Sequence, residues 1–132
     1  MVWTGYQPLD SVGQRAGNVT LLGSFSDAAP LELPACGYSD FGLHHIAPVH
    51  PKSNLAFLGE LGKWVPTAAA RIVSLTDTVG SVSVSIVGVA NETAELAFAA
   101  VADNAVVTTV CKIGASATAA VATFDGKGAT CQ

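Results

Sequence analysis

Charge is scarce in this chain. Asp, Glu, Lys and Arg make up 12% of its 132 residues, about half the share of an average soluble protein. Aromatic residues are also few, at 7%. The 50% hydrophobic content is instead carried by small side chains, with 22 Ala and 16 Val. Ten acids against six cations leave a net charge of −4. Six scattered cations on an acidic chain do not form the basic stripe that nucleic acid or an anionic membrane surface requires. No apolar run approaches the roughly 18 residues of a spanning helix. A chain so rich in Val and Ala, and so poor in charge, is not intrinsically disordered. The start, Met1-Val2-Trp3-Thr4-Gly5-Tyr6, has neither a basic region nor an apolar core of signal-peptide type. The chain is therefore expected either to be intracellular or to be a fragment lacking its leader or an upstream domain.

Cysteine is sparse as well. The three thiols, Cys36, Cys111 and Cys131, form no C-x-x-C pair, so neither a zinc knuckle nor a thioredoxin-type site is supported. In an oxidising compartment one bridge is expected, with three pairings open and one thiol left over. A partner for Cys131 at Cys111 or Cys36 would tie down the C-terminal end, stabilising the fold by about 3 kcal/mol. In the reduced alternative, three buried thiols act as small apolar groups. Two Asn-X-Thr triplets, at Asn18 and Asn91, are glycosylation candidates and fit a secreted protein.

Alternation dominates the second half. Ser81 to Ile86 switches between small polar and β-branched residues, the period of a half-buried strand. The phase slips beside Gly88, where a bulge is expected. Ala94, Leu96, Phe98 and Ala100 share one face, with Glu95 and Ala97 on the other. Val106–Ile113 and Thr118–Phe124 are further strands, and turn residues recur every 8–12 positions. Val82–Phe98 and Val106–Phe124 have the form of two hairpins. Glu92–Val101 and Pro66–Ile72 are the only helix candidates, both short, because Val, Thr and Gly interrupt the Ala runs. In the first half, strands are expected over Asn18–Phe25, Phe41–Val49 and Leu55–Leu58. Arg71–Thr76 opens the regular half. Ala29–Pro34 is read as an edge or extended segment, and Lys63–Thr67 as a short extended piece. The fold class is all-β: an antiparallel β-sandwich, Ig-like or jelly-roll-like, with little or no helix. Residues 1–17 are expected as an irregular arm and 18–132 as one domain.

Unusual residues gather in one place, from Cys36 to His50, which holds all three histidines. On a strand His44 and His50 share a face and His45 points away. They would lie about 20 Å apart along an unbroken strand, too far to share one ion. Only a bend at Pro48 would make them metal ligands; otherwise one histidine sits in the core and two at the surface. No cofactor is implied. Ser39, Asp40 and His44, or Cys36 with a histidine, are generic neighbours without a G-x-S-x-G elbow. Asp40 and Glu60 are the candidate acid pair, although solvated turn acids are the commoner case. Gly37 and Gly42 lack the Lys-Ser/Thr that completes a phosphate loop. Trp3, Tyr6, Tyr38 and Trp64 are the aromatic inventory for sugar stacking. The candidate ligand-binding set is Trp64, Tyr38, His45, Asp40 and Glu60, with Trp64 as a core or junction anchor in the alternative.

Val19–Phe25, Pro34–Phe41, His45–Val49 and Leu58–Pro66 resemble the closing section of large glycoside hydrolases, nearest to α-galactosidase and raffinose-synthase-like enzymes. In that family a (β/α)-barrel carries the catalytic carboxylates and an antiparallel β-sandwich follows it. The resemblance spans less than half of this chain, and no barrel is present in it, so the catalytic acids have no matching positions. It implies an accessory domain that packs on a barrel.

Three functions follow as expectations. The first is a noncatalytic, secreted β-sandwich module of a carbohydrate-active protein, packed on an upstream catalytic domain and contacting glycan. The second is a self-assembling coat or surface-layer subunit, whose homo-oligomer hides the low-charge surface. The third is a small metal protein or enzyme centred on the histidines.

Overall fold

In the computed structural model, residues 1–4, 19–33, 35, 37–38 and 43–132 are described, with the backbone alone for 2–4. Every regular element among them is a strand, in line with the all-β reading. These are β1 (Val2–Thr4), β2 (Thr20–Gly23), β3 (His45–Ile46), β4 (Val49–His50), β5 (Leu55–Glu60), β6 (Ile72–Thr78), β7 (Ser81–Val87), β8 (Thr93–Ala100), β9 (Ala105–Lys112), β10 (Ala119–Phe124) and β11 (Ala129–Cys131). Both helix candidates fail. Glu92–Val101 contains β8, whose Leu96 and Phe98 must face one core. Pro66–Ile72 is a run of turns leading into β6.

Two four-stranded antiparallel sheets, ordered β11-β10-β7-β6 and β4-β5-β8-β9, form the sandwich. Their facing residues share one core. Val82, Val84 and Ile86 of β7 and Ala120, Ala122 and Phe124 of β10 meet Leu55 and Phe57 of β5 and Ala94, Leu96, Phe98 and Ala100 of β8. Phe98 is its centre, with ring centroids 5.2 Å from Phe57 and 5.3 Å from Phe124. Ser81, Ser83 and Ser85 take the opposite face of β7, as their alternation requires. Ser83 Oγ and Thr123 Oγ1 share a hydrogen bond there at 2.9 Å.

Consecutive strands do not pair as the two expected hairpins. β7 pairs with β6 and β10, while β8 pairs with β5 and β9. The β7–β8 and β9–β10 connections thus cross from one sheet to the other. The bulge also lies elsewhere. β7 runs regularly to Val87, and the register shift falls on β6 between Ile72 and Ser74, opposite Ile86 and Ser85. The 30–33 segment contains no strand; only a bridge between Ser26 and Ala29 precedes it. Pro48 divides the expected 41–49 strand, leaving β3 and β4 as two-residue strands with different partners.

A third, three-stranded sheet, β2-β1-β3, covers the other face of β5 and β8. There Met1, Ala47, Ala56, Leu58, Leu61, Ala97 and Ala99 form a second core, with Leu21 and Val49 against it. The β5–β8 pair is therefore a middle layer, and all six residues of β5 are buried. Ala56, Ala97 and Ala99 are thin enough to let this cover approach. Within the 1–17 stretch expected as an arm, Val2–Thr4 belong to β1, and 5–17 lie outside the described residues.

Both long edges of the sandwich are pinned. Cys111 of β9 is bonded to Cys131 of β11 across a sequence separation of 20, joining the two sheets at one edge. At the other, Asp77 of β6 accepts hydrogen bonds from the N–H groups of Lys52 (2.9 Å) and Ser53 (3.1 Å) in the β4–β5 turn. Asn54, Asn91 and Asn104 stand at φ values of 58°, 66° and 48°. Each occupies a tight turn, and Asn tolerates the left-handed region better than other residues with a Cβ.

Candidate functional site

The site begins at a bulge. The β5–β8 register shifts between Phe57 and Gly59, and Gly59 has φ 112°. The following loop doubles back so closely that a Cβ on Gly59 would strike the Cβ and carbonyl of Pro66. The Glu60 N–H donates to the Pro66 carbonyl at 2.8 Å, and the Leu61 N–H donates to Glu95 at 2.8 Å. This fold-back turns Trp64 outward, where it is 61% exposed. The expected extended piece over 63–67 is thus a looped projection.

Trp64, Val65, Pro66 and Thr67 line one side of a cleft of about 170 Å³, and His45, Ile46 and Leu58 line the other. A second, more apolar hollow of about 200 Å³ adjoins it through Ile46 and is lined by Phe25, Leu31, Leu33 and His44. Phe25, Leu33, Trp64, Val65 and Ile46 around them are exposed, Ile46 at 69%, whereas Leu58 is buried. Burial lowers the His45 pKa below its ordinary 6.5, and the neighbouring His44 lowers it further. The ring is therefore neutral near pH 7, and its Nε2 is buried.

Glu60 stands apart from this cleft. It is 4% exposed and receives Arg71 in a fork, Nε to Oε2 at 2.8 Å and Nη2 to Oε1 at 3.0 Å. Arg71 also reaches Glu92 Oε2 and the Val87 carbonyl through Nη1, at 2.8 and 2.7 Å, and Glu92 Oε1 through Nη2 at 2.8 Å. One guanidinium therefore ties the end of β5 to the ends of β7 and the β7–β8 loop. The Glu92 hydrogen bond, ahead of that from Glu60, pushes the Arg71 pKa up. Arg71 in turn holds the Glu92 carboxyl below its ordinary range, helped by the Val89 N–H. A Cβ on Gly88 would press on the side-chain ends of Glu92, Arg71 and Ile113 and so disturb this cluster. Arg71 carried no signal in the sequence, because its partners stand 11 and 21 positions away.

Of the expected ligand set, the structure brings Trp64 and His45 together. Glu60 has a structural partner, Tyr38 is fully exposed and lines neither hollow, and Asp40 lies outside the described residues. His44 lines the second hollow, while His50 sits on β4 with Nε2 buried and without a hydrogen-bond partner among the described residues. Among the described residues no three His, Cys, Asp or Glu side chains gather as a metal would need. Cys36, Ser39 and Asn18 lie outside the described residues, as do Tyr6 and the Trp3 side chain. No described carboxylate lines the cleft. The described lining offers an aromatic face, a neutral imidazole and a threonine hydroxyl, which suit binding and supply no acid–base pair. No family model, curated protein or solved structure matches this chain.

Proposed function

We propose that this chain is a noncatalytic β-sandwich module of a carbohydrate-active protein, secreted with it, that packs on a catalytic domain and contacts glycan. The observation that carries the reading is Trp64, held outward beside His45 over a shallow cleft. An apolar sugar face stacks on an indole, while a hydroxyl such as that of the exposed Thr67 bonds its rim. The neighbouring strip of Phe25, Leu33, Ile46 and Val65 supports domain packing, because contiguous exposed apolar surface marks interfaces. The glycoside hydrolase resemblance supports the same class, and the Cys111–Cys131 bond supports an oxidising compartment. Tryptophan emission is the test, with galactosides and laminarin as titrants. A saturable change that Trp64→Phe removes, while Trp3 still emits, is the expected result. A wild-type chain that responds to no glycan overturns the glycan contact.

The same apolar strip favours a second reading, a self-assembling structural subunit. Light scattering behind size exclusion separates the two, because a strict monomer at high concentration excludes assembly.

A further inference from the structure

We propose that Asn91 is an N-glycosylation site, displayed on the β7–β8 crossing loop and compatible with the finished fold. The triplet Asn91-Glu92-Thr93 meets the sequence requirement, with no proline between. The fold then separates the roles of its three side chains. Asn91 is exposed at the turn, with φ 66°, and only its backbone is engaged, its N–H donating to Ile113 at 3.0 Å. Thr93 is exposed at the first position of β8. Neither side chain has a hydrogen-bond partner among the described residues. Glu92, between them, turns the other way to bind Arg71 and the Val89 N–H. A glycan on Asn91 therefore leaves the ion cluster untouched and projects from the sandwich end into solvent. Independently, the Cys111–Cys131 bond supports folding in an oxidising compartment, the setting in which such transfer takes place.

The donor is a lipid-diphosphate-linked oligosaccharide. Asn91 Nδ2 bonds to its anomeric carbon, the bond from that carbon to the diphosphate oxygen breaks, and the lipid diphosphate leaves with the electron pair. Nδ2 gives up one proton. This site is independent of the cleft at Trp64 and stands whether or not the chain binds sugars.

The test is secretion of the full chain from a eukaryotic host behind an added leader, followed by peptide mass spectrometry with and without an amidase that releases N-glycans. The peptide holding Asn91 is expected to carry a releasable glycan. Thr93→Ser keeps it, and Thr93→Ala and Asn91→Gln lose it. Non-reducing peptide mapping of the Cys111–Cys131 bond shows that each variant has folded. An unmodified Asn91 in a wild-type chain with that bond formed overturns the proposal. So does a wild-type chain retained in the cell without the bond, since the site requires folding in that compartment.

Discussion

Reduction of the Cys111–Cys131 bond is the perturbation whose size the topology fixes best. The two cysteines lie on β9 and β11, the edge strands that close one side of the sandwich, 20 positions apart. In the chain-entropy treatment, opening a loop of that length restores about 3.3 kcal/mol of freedom to the unfolded chain at 25 °C. Spread over 132 residues, with an unfolding entropy of about 2.1 cal/mol/K per residue, this lowers Tm by about 12 °C. The cleanest comparison is the oxidised chain against the same chain kept reduced, because no side-chain volume is lost from the buried Cys111 position. Urea unfolding followed by circular dichroism gives the free-energy difference. Amide exchange locates it: β11 has only three residues and one strand partner, so its amides accelerate more than those of β7. A loss below about 1 kcal/mol would refute this entropic reasoning. Peptide mapping that finds Cys36 in the bond would refute the topology.

Other perturbations probe the site and its supports. Arg71→Ala leaves Glu60 buried and without its fork, at a cost of about 3–5 kcal/mol by urea unfolding; a loss under 1 kcal/mol would contradict the structural role of the cluster. Gly59→Ala forces Pro66 away and releases the projection that carries Trp64. Its signature is a red-shifted, more quenchable Trp64 emission, and unchanged quenching counts against the fold-back. The folded His45 titrates below its ordinary 6.5, so the unfolded chain binds more protons as pH falls below 6.5. Stability therefore declines from pH 6.5 down to the folded pKa and is unaffected by His45 above 6.5. An imidazole NMR titration with a midpoint above 6.5 would reverse that sign.

The sandwich was legible wherever one face meets a core and the other meets water. Val82, Val84 and Ile86 alternating with serines announced β7, and Ala94 to Ala100 announced the face of β8. Alternation disappears in β5, because the middle layer is buried on both faces and every residue there is apolar or paired. Periodicity is a local property, whereas the choice of β10 over β8 as the partner of β7 is made by packing far along the chain. The Cys111–Cys131 pairing and the Arg71 cluster are hidden for the same reason. At the site, Trp64 and His45 were each conspicuous by residue type. Their meeting depended on the positive φ of Gly59 and on the short strand His45–Ile46 pairing with β1. A glycine beside a glutamate in an apolar run gives no notice of such a fold-back.

The contact surface itself is tested most directly by chemical-shift mapping of the isotope-labelled chain with a galacto-oligosaccharide. Shifts confined to His45, Ile46, Leu58 and the loop from Trp64 to Thr67, and abolished by Trp64→Ala, are the predicted result. Shifts on the serine and threonine face of β7 and β10 instead, or none at saturating sugar, would contradict it.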